Sequence, residues 1–297
     1  MDGLTFLRKL MQFRPTPVIV ISSLTQSSCQ ASLDALRSGA VEVMAKPSGP
    51  NSVGELRASL AAKIRAAAVS RVARPSEGTS EARVQPARER PTITPGAVKR
   101  TYDPRAVIAI GASTGGIEAL EAVLTGLPGD LPGIVITQHI PAGFSRAFAE
   151  RMNKICPMRV AEAVDGAAVE PGLALVAPGN FHMVLRKAAT GYRVAVKTGP
   201  MVCYQRPSVD VMFSSVAEAA GANAVGVILT GMGADGAQGL LKMKSAGAPT
   251  IAQNEASCVV FGMPKEAIRL GAADRVVSLR SIPAAIVADA ARFAARV

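Results

Sequence analysis

Strand-like and helix-like patterns of apolar residues alternate through residues 104–297. Short β-branched runs recur, and each is followed by a longer stretch with apolar residues at helical spacing. This alternation predicts an α/β fold, a mostly parallel doubly wound sheet with helices on both faces. The predicted strands are 106–110, 133–137, 173–177, 184–185, 192–196, 224–229, 250–252 and 275–277, and the predicted helices are 117–124, 144–155, 209–220, 237–246, 264–270 and one beginning near 281.

A shorter α/β pattern precedes this domain in residues 1–70. It predicts helices at 4–11, 31–37 and 53–68 and strands at 17–21 and 41–44. In residues 71–103, by contrast, Pro, Ser, Thr, Glu and Arg dominate and apolar periodicity disappears. Such a composition buries too little apolar surface to order itself, so we predict a flexible linker between the two parts.

The net charge of +11 fits an acidic protein partner, nucleic acid, a membrane surface or simply a solvated basic surface. Residues 71–105 hold a disproportionate share of this positive charge. Aromatic residues do not alternate with the charged residues there, which disfavours nucleic acid as the partner. The four cysteines are widely spaced and only two histidines occur, so we expect neither a zinc site nor a disulfide framework. With no apolar run long enough to span a bilayer, the sequence predicts a cytoplasmic protein without membrane insertion.

Three polar side chains each follow a predicted strand of the large domain. They are Ser113, His139 and Asp235. The carboxyl ends of parallel strands lie at one edge of a sheet, so these side chains can converge in one crevice. A serine hydroxyl needs a base to become a nucleophile, and the base needs an acid to fix its tautomer. We therefore predict a catalytic triad that needs no metal and no organic cofactor.

Residues 111–115 fit the G-x-S-x-G turn that exposes a nucleophilic serine, but glycine-rich turns more often bind phosphates. A dinucleotide fold would carry an acidic residue where Gln138 and His139 stand, and a P-loop would carry lysine in place of Ile117. The order Ser, His, Asp also differs from that of α/β-hydrolases. His182, the only other histidine, is expected in a loop. A non-catalytic nucleotide-binding or regulatory module remains the alternative, and separation of Ser113 from His139 would favour it.

Residues 104–297 resemble the catalytic domain of the CheB family of chemotaxis protein-glutamate methylesterases. The resemblance lies in the motifs AIGASTGG at 109–116, QHIP at 138–141, APGN at 177–180, RPSVD at 206–210, LTGMGADG at 229–236 and GMPK at 262–265. It implies hydrolysis of glutamate γ-methyl esters on the cytoplasmic helices of methyl-accepting chemotaxis receptors, with release of methanol. It also implies deamidation of particular receptor glutamines, and it assigns the same three catalytic residues.

The resemblance also suggests residues around the triad. Thr114 and Met232 match positions that line the family's active site, and we add the neighbouring Gly115 and Gly233 as lining or oxyanion-binding candidates. Arg206 is a candidate for substrate binding. One departure precedes it, because Cys-Tyr-Gln at 203–205 stands where a basic or histidine-containing turn is expected. The departure bears on substrate preference and not on the reaction.

Residues 1–70 resemble the second half of a response-regulator receiver domain. Ser22 matches the switch hydroxyl and Lys46 the phosphate-binding lysine, and the Ser-Ser-Leu-Thr run at 22–25 disfavours the alternative of a helical spacer with a chance Lys-Pro. The resemblance implies the chemotaxis histidine kinase as a partner of a full-length form. The sequence holds no acidic pair or phosphoacceptor aspartate, so we expect the chain as given not to be phosphorylated here. We also expect this part to be poorly ordered and to cover the catalytic face poorly, because it lacks the rest of its sheet.

Overall fold

The computed structural model describes residues 2–23, 25–46, 60–61, 63–70 and 101–294. Its first part contains helices α1 (Gly3–Phe13) and α2 (Gln26–Arg37) and strands β1 (Ile19–Ser22) and β2 (Glu42–Ala45). The two strands pair in parallel. Residues 63–68 are helical, and the remainder of the helix predicted at 53–68 lies largely outside the described residues.

A seven-stranded parallel sheet forms the centre of the second part and confirms the predicted fold class. Its strands are β3 (Val107–Ala112), β4 (Gly133–Gln138), β5 (Arg159–Glu162), β7 (Leu173–Val176), β10 (Ala224–Ile228), β11 (Thr250–Gln253) and β12 (Arg275–Val277). They lie in the order β12-β11-β10-β3-β4-β7-β5. The strand β5 was not predicted from the sequence, because it is a four-residue edge strand in which Arg159 and Ala161 are exposed and only Val160 is fully buried.

Helices cover both faces of this sheet, as the pattern predicted. They are α3 (Gly116–Thr125), α4 (Phe144–Ile155), α5 (Val209–Ala220), α6 (Ala237–Ser245), α7 (Met263–Arg269) and α8 (Ile282–Ala290). Alternate residues of β3 enter different cores, because Ile108 and Ile110 join one buried cluster while Val107 and Ala109 join the other. A strand buried on both faces reads as a continuous apolar run, which explains why the sequence located it so well.

An excursion from the parallel sheet contains the predicted short strands at 184–185 and 192–196, which belong to a small antiparallel sheet. This sheet contains β6 (Ala168–Val169), β8 (His182–Lys187) and β9 (Tyr192–Lys197), in the order β6-β9-β8. Met183 and Leu185 of β8 are buried in the second core cluster. His182, which we expected in a loop, is the first residue of β8 and is buried. The excursion is thus an integral part of the domain core.

The described elements of the first part pack against α3 and α4. Leu7, Met11 and Leu33 are buried in the same cluster as Leu120 of α3 and Phe148 of α4. The expectation that these elements find nothing to bury against is therefore wrong for the residues described. They bury their apolar side chains against helices of the second part instead of against a complete sheet of their own.

The predicted linker lies mainly outside the described residues, which resume at Thr101. Tyr102 is buried and forms an antiparallel bridge with Ala294, and the amide of Asp103 donates to Phe293 O at 3.0 Å. The contacts of Tyr102 and Asp103 thus lie slightly before the predicted boundary at residue 104. None of the helices in the described ranges has the length and apolarity that a bilayer span requires.

Candidate active site

The turn that carries Ser113 joins the end of β3 to the start of α3. Gly115 adopts φ +75°, a left-handed conformation that glycine accepts without a steric penalty. The Ser113 amide donates to Thr230 O at 3.0 Å, and the Ser113 carbonyl accepts from the Gly116 amide at 2.7 Å. Main-chain bonds on both sides of the serine therefore hold the turn in place.

Ser113, His139 and Asp235 form a continuous line of hydrogen bonds. Ser113 Oγ lies 3.0 Å from His139 Nδ1, and His139 Nε2 lies 2.7 Å from Asp235 Oδ2. Because a carboxylate only accepts, Nε2 carries the imidazole proton and Nδ1 is free to accept the serine proton. The three residues are 8%, 8% and 2% exposed. They follow the neighbouring strands β3, β4 and β10, so the predicted convergence occurs, and the separation that would favour a non-catalytic module does not.

The carboxylate of Asp235 lies at the N-terminus of α5. Besides His139, it accepts bonds from the Ser208 hydroxyl at 2.8 Å and from the amides of Val209 and Asp210 at 2.8 and 3.0 Å. Burial alone would raise the pKa of Asp235, but the bond and charge of His139 and the two amides outweigh burial and lower it. The aspartate is therefore held ionised beside the imidazole. Ser208 was not among the site residues predicted from the sequence. Its position just before the predicted helix 209–220 indicates only a helix cap.

His182 supports the Asp235 carboxylate indirectly, through Ser208. Its Nδ1 accepts the Ser208 amide at 3.2 Å, and its Nε2 donates to Pro200 O at 2.9 Å. The side chain is buried, and both of its nitrogens bond to main-chain atoms. His182 thus helps to fix the residue whose hydroxyl binds Asp235, but it contacts no member of the triad through a hydrogen bond.

We predict that His182→Ala lowers turnover by only about tenfold. The change removes one neutral hydrogen bond that orients Ser208, and a loss of that size corresponds to about 1.4 kcal/mol in the activation barrier. His139→Ala removes the base itself and should be far more damaging. Initial rates of ester hydrolysis by the two folded variants test this ranking, and equal losses would contradict it.

The loop after β10 approaches Ser113 very closely. A Cβ atom on Gly231 would lie 2.7 Å from Ser113 Cβ and 2.3 Å from Met263 Sδ, so only glycine fits there. The Gly231 carbonyl accepts from the amides of Gly262 and Met263, at 3.0 and 2.8 Å. These contacts set the position of the next two residues, Met232 and Gly233, beside the serine turn.

Four backbone amides near Ser113 are available to a ligand. Those of Thr114, Gly115, Met232 and Gly233 donate no hydrogen bond within the described part of the chain. The Ser113 amide, by contrast, is occupied by Thr230. Unused amides beside a nucleophile are the donors that a developing oxyanion requires. The arrangement suits the lining or oxyanion-binding role predicted for these four residues, which stays a prediction.

Arg206 ties two loops together. Its guanidinium donates to Asn180 Oδ1 at 3.0 and 2.6 Å and also to Gly199 O. Just before it, Cys203 and Tyr204 are exposed and adopt positive φ angles in a turn closed by bonds between Val202 and Gln205. A role of Arg206 in substrate binding stays a prediction, and its observed bonds are structural.

Ser22 and Lys46 lie together at the carboxyl ends of β1 and β2. The Lys46 amide donates to Ser22 O at 2.7 Å, next to the register pair of Ser22 with Ala45. This is the side-by-side placement that a switch hydroxyl and a phosphate-binding lysine require. Their receiver roles stay predictions.

Glu42 of β2 reaches the catalytic part of the chain. The Thr114 hydroxyl donates to Glu42 Oε2 at 2.7 Å, and Lys63 Nζ lies 3.2 Å from Glu42 Oε1. Glu42 is buried although it is charged. The first part therefore covers the residue next to the nucleophile, which differs from the expected poor cover. No local sequence pattern predicts a contact between Glu42 and Thr114, which are far apart in the sequence.

Comparisons with known proteins show the family to which the chain belongs. The family model described as CheB methylesterase matches residues 108–286. The chain is 54% identical over 287 residues to protein-glutamate methylesterase/protein-glutamine glutaminase 2 of Syntrophus aciditrophicus, covering 97% of this chain and 81% of the relative. It is 49% identical over 286 residues to protein-glutamate methylesterase/protein-glutamine glutaminase of Salmonella choleraesuis, covering 95% and 78%.

A solved structure is similar to the second part of the chain. It is the crystal structure of the CheB methylesterase catalytic domain of Thermotoga maritima, with a TM-score of 0.60 and 38% sequence identity. The match covers 62% of this chain and 97% of that one. The similarity therefore extends over nearly the whole of that catalytic domain.

Proposed function

Because the chain belongs to the CheB methylesterase family, we propose that it hydrolyses glutamate γ-methyl esters of methyl-accepting chemotaxis receptors and deamidates specific receptor glutamines. The names of its relatives, protein-glutamate methylesterase/protein-glutamine glutaminase, support both reactions. The observation that carries the proposal is the unbroken line from Ser113 Oγ through His139 to Asp235. Such a line supplies a nucleophile, a base and an acid that holds the base in the reactive tautomer.

In the proposed reaction Ser113 Oγ attacks the γ-carbonyl carbon while its proton passes to His139 Nδ1. Asp235, already ionised, stabilises the imidazolium through Nε2–H. The amides of Thr114 and Met232 donate to the oxyanion of the tetrahedral intermediate. The bond to the methoxy group then breaks, methanol leaves with the proton from His139, and an acyl-enzyme remains.

The second half of the reaction uses the same residues in reverse order. Water gives a proton to His139 Nδ1 and its oxygen attacks the acyl carbon, and the bond to Ser113 Oγ breaks as the serine recovers the proton. The product is a free glutamate side chain. For a receptor glutamine the leaving group is ammonia instead of methanol, and both reactions converge on one acyl-enzyme.

We propose the cytoplasmic helices of chemotaxis receptors as the site of action. Their methylated glutamates lie on the cytoplasmic side of the membrane, so the enzyme would work in the cytoplasm. In a form with a complete receiver, the chemotaxis histidine kinase would be the second partner. Ser22 and Lys46 would then serve the phosphorylated aspartate of that receiver.

Peptide mass spectrometry of receptors tests the proposed function. Membranes that carry methylated receptors, with some sites still encoded as glutamine, are incubated with the purified full chain. We expect the mass of one methylene to be lost at each ester and the glutamine sites to become glutamate. Receptors that keep every ester during incubation with folded enzyme would contradict the proposal.

We predict that Glu42→Ala raises basal turnover several-fold. Glu42 binds the hydroxyl of Thr114, the residue that follows Ser113, and Ser113 itself is only 8% exposed. Removing the carboxylate should loosen this cover and admit the substrate more often. Asp34→Ala serves as the control, because Asp34 lies 3.8 Å from Arg151 in the same interface but does not contact Thr114. Unchanged rates for Glu42→Ala, or equal increases in both variants, would contradict this role.

A further inference from the structure

Gln138 joins the main chains of the nucleophile and the base. It is the last residue of β4, lies opposite Ala112 of β3 and is 2% exposed. Its Nε2 donates to Ser113 O at 2.8 Å and to His139 O at 3.1 Å. A single buried amide group therefore bonds to both residues whose side chains exchange the proton in the proposed reaction.

The Gln138 side chain bonds through its nitrogen while its oxygen has no hydrogen-bond partner in the described structure. This oxygen, Gln138 Oε1, is buried. Buried polar atoms are rarely left unpaired, because they lose hydration without compensation. The space for Oε1 exists only because residue 116 is glycine, since a Cβ atom there would lie 2.1 Å from it. An apolar side chain at position 138 would avoid the unpaired oxygen but could make neither bond.

The two bonds extend the connection between β3 and β4 beyond the end of the strand ladder. Main-chain bonding reaches as far as the His139 amide, which donates to Ala112 O at 3.1 Å. Ser113 comes one residue later, in the turn, where the parallel ladder no longer links it to β4. The Gln138 side chain supplies that link. Small errors in the placement of reacting groups are expensive, since about 1 Å costs roughly a hundredfold in rate.

We infer that Gln138 is a positioning residue that fixes the Ser113 turn relative to His139. The inference rests on the proposed reaction for its rate effect, but not for its geometry. Gln138 touches no substrate and moves no proton. Its removal should therefore lower kcat and the intrinsic reactivity of Ser113 while leaving receptor binding, and hence KM, unchanged.

The chain provides a matched control in Gln253. This glutamine is the last residue of β11 and is fully buried. Its Nε2 donates to Ser257 O at 2.7 Å, and its Oε1 accepts the Thr230 amide at 2.8 Å. It makes no hydrogen bond to Ser113 or His139. Gln253→Met thus removes an equally buried amide at the same sheet edge. It leaves both bonds of Gln138 in place and reaches the serine turn only through Thr230, whose carbonyl accepts the Ser113 amide at 3.0 Å.

The experiment compares Gln138→Met with Gln253→Met in the full chain. We measure kcat and KM on methylated receptors, the rate at which a fluorophosphonate probe labels Ser113, and thermal unfolding. Gln138→Met should lose about ten- to a hundredfold in kcat and in labelling rate, with KM unchanged. Gln253→Met should label within about fivefold of the wild-type rate, whatever its melting temperature, because it keeps both bonds of Gln138 and one net hydrogen bond of about 1 kcal/mol corresponds to about fivefold.

A Gln138→Glu variant keeps the test informative if Gln138→Met folds poorly. Burial and the two facing carbonyls should raise the pKa of the new carboxyl. Its protonated form regains one O–H donor, so the labelling rate relative to wild type should rise as the pH falls from 8 to 6. Taking the ratio to wild type at each pH removes the pH dependence that the two enzymes share.

Three results would overturn the inference. They are equal labelling losses in Gln138→Met and Gln253→Met, a Gln138→Met rate within twofold of wild type, and a Gln138→Glu ratio that does not change with pH. Failure of the proposed function gives a different outcome. In that case wild-type Ser113 would label rapidly while receptor esters stayed intact, and the comparison of labelling rates would still decide the role of Gln138.

Discussion

Ser113→Ala should reduce ester hydrolysis by about a million-fold and leave the fold intact. The variant loses the only hydroxyl within hydrogen-bond distance of His139 Nδ1 in the described structure, 3.0 Å away. The main-chain bonds of the turn do not involve Oγ, so they should persist. Methanol release from methylated receptors measures the loss, and thermal unfolding verifies that the protein remains folded.

The control for this prediction is Ser215→Ala. Ser215 lies in α5, where its hydroxyl accepts the Leu185 amide and donates to Met212 O, far from the triad in the bonding network. Its loss should lower the free energy of unfolding by about 1–3 kcal/mol and leave turnover of the folded protein near normal. Near-normal turnover by Ser113→Ala would show that another group is the nucleophile.

Asp235→Asn should reduce turnover by about ten-thousand-fold, the second largest effect we expect. The carboxylate accepts from His139, Ser208, Val209 and Asp210, and all four groups are donors. An asparagine has one acceptor oxygen, so its NH₂ group must face some of these donors. The histidine then loses the partner that holds the proton on Nε2 and stabilises the imidazolium.

Asp210→Asn is the matched control for charge removal at this helix terminus. The Asp210 carboxylate accepts the Gly239 amide at 2.6 Å, and burial raises the pKa of this carboxyl. It makes no hydrogen bond to His139. We expect its replacement to change kcat by no more than about tenfold, the equivalent of one hydrogen bond. Comparable losses in both variants would mean that the loss of negative charge at the N-terminus of α5, and not the loss of contact with the imidazole, explains the effect of Asp235→Asn.

The convergence of Ser113, His139 and Asp235 could be predicted because each follows a strongly patterned strand, Ser113 and His139 directly and Asp235 in the glycine-rich loop after it. β3, β4 and β10 are buried on both faces, so they appear as continuous apolar runs whose ends can be located to within two residues. The topological rule for parallel sheets then brings Ser113, His139 and Asp235 to one edge. Neither the distances nor the nitrogen that faces the serine follows from that rule.

The parts that could not be predicted depend on contacts between distant segments. Ser208 looks like an ordinary helix cap, and nothing local indicates that its helix points at Asp235. Glu42 meets Thr114 across a sequence separation of 72 residues. The packing of the first part against the second was also not predicted from the sequence. Surfaces on α3 and α4 provide the burial, and no periodic pattern identifies a partner surface.

Hydrolysis in water enriched in ¹⁸O tests the central claim most directly. Methylated receptors are incubated with the full chain, and both products are analysed for the isotope. Attack by Ser113 on the γ-carbonyl carbon predicts unlabelled methanol and one ¹⁸O atom in the γ-carboxylate of the released glutamate, with neither product formed by Ser113→Ala. Label in the methanol, which would mean cleavage at the methyl carbon, or equal product formation by Ser113→Ala would contradict the account.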